Sequence, residues 1–321
     1  MPQYFYIASQ DPQGGILCCQ LTPEGQLKLL HRTEIDRPAF LATGEGRLYA
    51  LLREPFQMQS GIATFHIGAD GALTQEGPIL PVHGTISAHI LCHRGQVYTA
   101  NYLSGTTTRM PDRLLAHNGH SVNPERQDCS HPHCVTPTPE GDFLCVNDLG
   151  TDCIYVCKAE LEEVSRVCLP AGCGPRHLVF SPDGRYAYCA NEMGASVSVL
   201  SYEYGKLTLL RTVSALPAGF DGPASGSAIR LSPDGRRLYL SLRQHNSVCV
   251  MDVAGAQVRP VSWIPCGGDS PREIWLEGKY LLCANENSHN IQVISLEDPA
   301  KPRPVSDFPV VRPWCILAVT L

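Results

Sequence analysis

No run of about 18 apolar residues occurs in the 321-residue chain, and no long segment places its apolar residues at the helical period of 3.6. A membrane-spanning helix is therefore not expected, and helix content should be low. Charge of one sign is also scarce, with 25 basic against 31 acidic residues and a net charge of −6. That balance argues against nucleic acid or an anionic membrane as a partner. The opening MPQYFYIASQDPQGG carries no basic leader followed by an apolar stretch, so the expected location is the cytoplasm. Cysteine is plentiful, at 15 residues, but no CxxC pair occurs and the number is odd. Many of these residues (Cys18, Cys19, Cys145, Cys153, Cys157, Cys189, Cys249, Cys283) lie inside apolar runs. The expectation is free thiols packed as small hydrophobes, with no disulfide and no metal. Apolar residues at 43%, with 28 Gly and 26 Pro, suit many short strands joined by many turns.

Those strands recur. Seven apolar runs end in a polar or turn-adjacent position: Phe5–Ser9, Leu48–Leu52, Val97–Asn101, Phe143–Asn147, Ala187–Asn191, Leu238–Leu242 and Leu281–Asn285. Their last residues lie 43, 49, 46, 44, 51 and 43 positions apart, the period of four-stranded propeller blades rather than of helical solenoids. A second series runs in phase with the first, beginning at Phe40, His89, His133, His177, Ala228, Glu273 and Trp314. Between the two series sit tight turns such as TPEG (138–141) and SPDG (181–184, 232–235), where Pro presets its torsion and Gly accepts positive φ. Each pair thus reads as an inner hairpin. The first repeat lacks its upstream strand and the last upstream strand, at Trp314, has no successor. The C-terminal strand should therefore join the N-terminal blade and remove two exposed edges. The fold predicted is all-β: one domain, residues 1–321, a seven-bladed β-propeller with four antiparallel strands per blade.

Propeller geometry brings the starts of the innermost strands and the ends of the second strands to one mouth of the central channel. On the first series stand His89, His133 and His177, with Arg176 before the third and Arg272 in the same register two blades on. After the second series stand Tyr102, Asp148, Glu192, Arg243 and Glu286, behind Asn101, Asn147, Asn191 and Asn285. Imidazoles, guanidinium groups and a carboxylate on neighbouring blades suit a small anionic ligand. The Asn residues also fit a purely local role as turn formers. The long connection Leu103–Ser130 is expected to be a loop over the channel that brings Arg126, His117 or His120 to it. His117, His120, His131 and His133 are close in sequence, but Pro132 holds His131-Pro132-His133 extended and separates its imidazoles, which disfavours a shared metal.

Several stretches resemble the propeller-type lactonase family, which includes bacterial 6-phosphogluconolactonase and the fungal 3-carboxy-cis,cis-muconate lactonizing enzyme. NPERQ followed by HPH (residues 123–133), NDLGTD (147–152), and GPRH followed by NE (174–192) carry the resemblance, which extends over nearly the whole chain. The resemblance implies a catalytic group of His133, Arg176, Glu192 and Arg243; the channel-mouth positions and the connection leading to them supply the candidate substrate-binding set His89, His131, His177, Asn101, Asn147, Asp148, Asn191, Arg126, Arg272 and Glu286. It implies hydrolysis of a sugar lactone, 6-phosphogluconolactone in the pentose phosphate route, without metal or other cofactor. A small anionic sugar lactone is then the partner, and the sequence does not specify an oligomer. A carboxymuconate-type cycloisomerase, an unphosphorylated aldonolactonase and a non-catalytic binding platform stand as alternatives.

Overall fold

A computed structural model describes residues 3–321; Met1 and Pro2, at the head of the opening stretch discussed above, lie outside the described residues. Seven antiparallel sheets form the blades of a propeller. Blade 1 runs from the axis outward as Pro313–Thr320, Gln3–Ser9, Ile16–Leu21 and Leu27–Thr33. Blade 2 starts with Pro38–Gly44 and Arg47–Phe56, blade 3 with Ser87–His93 and Gln96–Asn101, and blade 4 with Pro132–Pro137 and Phe143–Asp148. Blade 5 starts with Pro175–Phe180 and Tyr186–Asn191, blade 6 with Ser225–Leu231 and Arg237–Arg243, and blade 7 with Pro271–Glu277 and Tyr280–Asn285. Six blades have four strands. Blade 2 has a fifth, Leu80–Thr85, paired to its third strand Gln59–Ile67. Among the described residues no helix is long and apolar enough to cross a membrane.

The predicted closure is present: Pro313–Thr320 pairs along Gln3–Ser9 from Gln3↔Thr320 to Ser9↔Pro313. Period-2 alternation sends one set of side chains from each strand into the gap between blades, and seven apolar clusters fill the seven gaps. The gap sealed by closure contains Phe5, Ile7 and Ile316 against Leu282 and Ile291. Tyrosines add a directional bond from one blade to the next. Tyr6 donates to the carbonyl of Gly71, Tyr98 to Ala159, Tyr188 to Gly255, and Tyr280 to Pro23 across the seam. Each buried ring thereby keeps its hydroxyl satisfied.

Three expectations need correction. Leu103–Ser130 is not one loop, because Thr106–Arg109 and Arg113–Ala116 form the outer half of blade 3. Only the segment after Ala116 is irregular. These two strands are only four residues each, too short for the alternation to stand out. The cysteines are not all free: Cys153 and Cys168 form a disulfide, while thirteen others are unpaired. The two lie directly opposite on the third and fourth strands of blade 4, with Cα atoms 4.1 Å apart, a juxtaposition that only the strand register reveals. Finally, blade 4 is offset by one residue from the sequence alignment of repeats. Pro132 pairs with Asp148, as Pro175 pairs with Asn191 and Pro271 with Asn285. Asp148, not Asn147, is the counterpart of the strand-ending asparagines.

Ile316 is 1% exposed in the closing gap, so Ile316→Ala should cost about 2–5 kcal/mol in urea unfolding. Val305→Ala, on the outermost strand of blade 7, should change stability by less than about 0.5 kcal/mol. Equal costs would mean that closure does not dominate stability.

Candidate active site

The inner strands of blades 1, 2, 4, 5 and 7 begin with Pro313, Pro38, Pro132, Pro175 and Pro271. Proline donates no backbone hydrogen bond, so it is tolerated where a ladder starts. The ladder then skips one residue before pairing resumes. The skipped residues are Trp314, Ala39, His133, Arg176 and Arg272, joined by Ala88 after Ser87 in blade 3. A bulged residue is free of the ladder and its side chain can be re-aimed. All six line a cavity of about 310 Å3 at the mouth of the channel.

His133 therefore shares its register with Arg176 and Arg272. It does not share one with His89 and His177, as the sequence alignment had it; Cys134 takes that position in blade 4. The second contribution to the wall comes from the mouth-side ends of the second strands: Tyr102 and Glu192 directly follow theirs, Arg243 is the last residue of its strand, and Arg53 is the first residue of Arg47–Phe56 beyond the pairing with the inner strand. Arg126 arrives separately, from the irregular segment after Ala116.

Glu192 is the centre of this site and is 4% exposed. Its Oε1 accepts from Arg126 at 2.7 Å, and its Oε2 lies 3.1 Å from Arg176 Nε, 3.0 Å from Arg243 Nη2 and 3.8 Å from His133 Nε2. Burial alone would raise its pKa, but Arg243, His133 and Arg176, with the Arg126 hydrogen bond, hold it far below the usual carboxylate range. Its backbone is held as well, since Gly226 N donates to Glu192 O at 2.8 Å and a Cβ on Gly226 would sit 2.6 Å from the Asn191 carbonyl. His133 is also buried, and desolvation together with Arg176 keeps it neutral well below pH 6.5, against a smaller opposing pull from Glu192. Among the described residues its Nδ1 has no hydrogen-bond partner. Desolvation lowers Arg176 and Arg272 from the ordinary guanidinium range, as expected for cations whose burial is incompletely compensated. Five arginines and one glutamate line the cavity, a local excess of four positive charges on a protein of net −6.

The other candidates are placed differently. His89 and His177 lie one residue deeper in the channel, where His89 packs 4.3 Å from Phe40 and His177 accepts from Arg176 Nη1 at 2.9 Å. They floor the site without lining the cavity. Asn101, Asn147 and Asn191 are wholly buried and bond Thr106 and Thr108, Cys189, and Ser196 and Ser198 respectively. They hold strands together and do not reach the cavity. Asp148 is likewise removed from it, accepting from Ser130 Oγ, His131 N and Gly150 N, and so ties down the end of the segment that carries Arg126. His131 stacks on Tyr102 at 4.4 Å and bonds its carbonyl through Nδ1, while His133 turns to Glu192. Glu286 stays behind Arg272 and Arg312, pairing with both. His117 is buried against Tyr155 and bonds Thr107, and His120 is exposed, so neither reaches the channel. The four neighbouring histidines do not converge. The potential ligand atoms of Asp128, Cys129 and His131 do come within 4.8 Å of one another, away from the cavity wall. Sequence reasoning overlooked Arg53, Trp314, Ala39 and Ala88; the residue after the strand-opening proline was a usable signal for Trp314 and Ala39, whereas Ala88 follows Ser87 and Arg53 follows Leu52.

The profile described as "Lactonase, 7-bladed beta-propeller" matches residues 4–318. The chain is 30% identical over 284 residues to a 6-phosphogluconolactonase of Bacillus subtilis, covering 80% of each chain. It is 29% identical over 315 residues to one of Serratia proteamaculans, covering 92% of each. Among solved structures, a putative 6-phosphogluconolactonase of Bacteroides fragilis superposes with a TM-score of 0.89 at 26% identity, covering 99% of this chain and 98% of that one. A periplasmic gluconolactonase of Pseudomonas aeruginosa gives 0.90 at 26% identity, covering 99% of both.

The three channel histidines make stability acid-sensitive. Burial lowers His89 to about 3, and holds His133 and His177 well below 6.5. Below about pH 6.5 these three sites take up protons in the unfolded chain before the folded one, the buried His117 is lowered by desolvation in the same direction, and stability falls as pH falls. The three channel sites together should contribute about 4 kcal/mol per pH unit to the slope below about pH 5.5. Denaturant unfolding between pH 7.5 and 4.5 measures it; His89→Gln should reduce the slope by about 1.4 kcal/mol per pH unit, and a flat profile would contradict neutral burial.

Proposed function

As the chain belongs to the seven-bladed β-propeller lactonases, we propose that it hydrolyses 6-phosphogluconolactone to 6-phosphogluconate, serving the pentose phosphate route in the cytoplasm. The observation that carries this reading is the neutral, partly unpartnered His133 beside a carboxylate shared by three guanidinium groups. A lactone ester needs a base for water and a positive environment for the oxyanion, and this cluster supplies both.

In this mechanism His133 takes a proton from water as the water oxygen bonds to the lactone carbonyl carbon. The imidazolium formed is stabilised by Glu192, whose Oε2 is 3.8 Å from Nε2. The carbonyl oxygen becomes an alkoxide that accepts from Arg176 and Arg243, each of which retains N–H donors beyond those given to Glu192. Collapse of the tetrahedral intermediate breaks the ring C–O bond, and His133 returns the proton to the departing ring oxygen. Glu192 fixes both arginines in place, and Arg126 and Tyr102 close one side of the cavity. This sequence of steps uses no metal. The cytoplasmic assignment draws support from the thirteen unpaired cysteines, which suit a reducing compartment.

The name of the Pseudomonas neighbour favours a second reading, an unphosphorylated aldonolactone as substrate. Freshly generated 6-phosphogluconolactone and glucono-δ-lactone, assayed side by side with spontaneous opening subtracted, separate the two. His133→Ala and Glu192→Gln should each lower kcat/KM by about 10²–10⁴-fold on the preferred lactone while the proteins remain folded. Unchanged turnover in both variants would remove the cluster from the chemistry.

A further inference from the structure

The arginines at the channel mouth are paired, with one exception. Arg126, Arg176 and Arg243 share Glu192, Arg272 and Arg312 share Glu286, and Arg37 pairs with Asp36. Among the described residues Arg53 alone of this group has no carboxylate within 4.0 Å, its guanidinium makes no hydrogen bond, and its Nε is buried without a partner. Burial lowers its pKa from the ordinary guanidinium value. An uncompensated cation in such a position costs stability unless something anionic completes it.

Position says what that anion is. Arg53 and Trp314 line the cavity around Glu192 and also a second cavity of about 170 Å3 that continues toward Arg37 and Arg312. The catalytic cluster belongs to blades 4, 5 and 6, whereas Arg53 and Trp314 belong to blades 2 and 1, across the mouth. Ala39 and Ala88, the smallest of the bulged residues, leave the intervening wall open. The Trp314 indole stacks against Arg272 at 3.7 Å and packs 5.3 Å from Arg53, so the planar guanidinium is braced by an aromatic face rather than by a counter-ion. Of the arginines that line the second cavity, Arg37 is paired with Asp36 and Arg312 with Glu286, and Asp36 and Glu54 share the lining, so Arg53 is the guanidinium left free to take a phosphate from there.

We propose that Arg53, unpaired and braced on Trp314 at the junction of the two cavities, binds the phosphate of a phosphorylated lactone and sets the preference for it over the neutral lactone. This rests on the lactonase reading above and assigns the far end of the substrate, while His133 and Glu192 act on the ring.

The test is the ratio of kcat/KM for 6-phosphogluconolactone to that for glucono-δ-lactone, measured on wild type, Arg53→Met and Arg53→Lys, each checked by thermal melting. The ratio should fall about 100-fold in Arg53→Met, mostly through KM, and less in Arg53→Lys, which keeps the charge but loses the bidentate fork. His133→Ala should lower both substrates together and leave the ratio unchanged. An unchanged ratio in Arg53→Met overturns the proposal. Should wild type open neither lactone, the lactonase reading fails and direct titration with inorganic phosphate decides the site: at least tenfold weaker binding in Arg53→Met upholds it, and equal binding overturns it.

Discussion

Closure of the ring is the constraint on which everything else rests. A strand from the end of the chain must lie along Gln3–Ser9, because only then are all seven inter-blade gaps bounded on both sides and filled. Once the ring is shut, the innermost strands can only converge on an axis, and their first residues can only meet at one mouth. Five strand-opening prolines and the bulges behind them follow from that geometry, since the chain must enter each strand where a ladder hydrogen bond is dispensable. The site is thus a by-product of how the chain starts its strands.

The electrostatics of the mouth are organised around one anion. Glu192 is too buried to be ionised by itself, and the three arginines around it are too close together to coexist without it. Each side makes the other tolerable, as is usual for buried ion networks that persist for function rather than stability. The arginines come from two blades and an irregular segment, so the carboxylate ties that segment to blades 5 and 6, whose backbones meet here through Gly226 N and Glu192 O. Arg126 depends on that segment being anchored, which Asp148 does through Ser130 and the backbone of His131.

The sequence made the architecture legible because spacing survives substitution: seven strand ends at intervals of 43 to 51 residues require neither identity nor a known relative. Ring closure was legible for the same reason, as a strand missing at one end and surplus at the other. The four residues His133, Arg176, Glu192 and Arg243 were found through motif resemblance, and the structure brings them together. What escaped was register. Blade 4 ends its second strand with two polar residues, Asn147-Asp148, and nothing local says which one is the counterpart of Asn191; the pairing of Pro132 with Asp148 decides it. Arg53 follows Leu52, so the strand lacks the asparagine that marked other blades. The Cys153–Cys168 disulfide depends on the register of the outermost strand of blade 4, Glu163–Cys168, whose polar, half-exposed pattern carries little information.

The bulged position has a consequence for how such proteins diversify. Because that residue stands outside the ladder, exchanging its side chain leaves the neighbouring backbone bonds untouched, and six of the seven blades offer one such socket to a common vestibule. Tryptophan, alanine, histidine and arginine already occupy these sockets within a single chain. A lineage can therefore swap specificity one socket at a time, drawing on a combinatorial palette while the wheel that carries it keeps turning out the same shape.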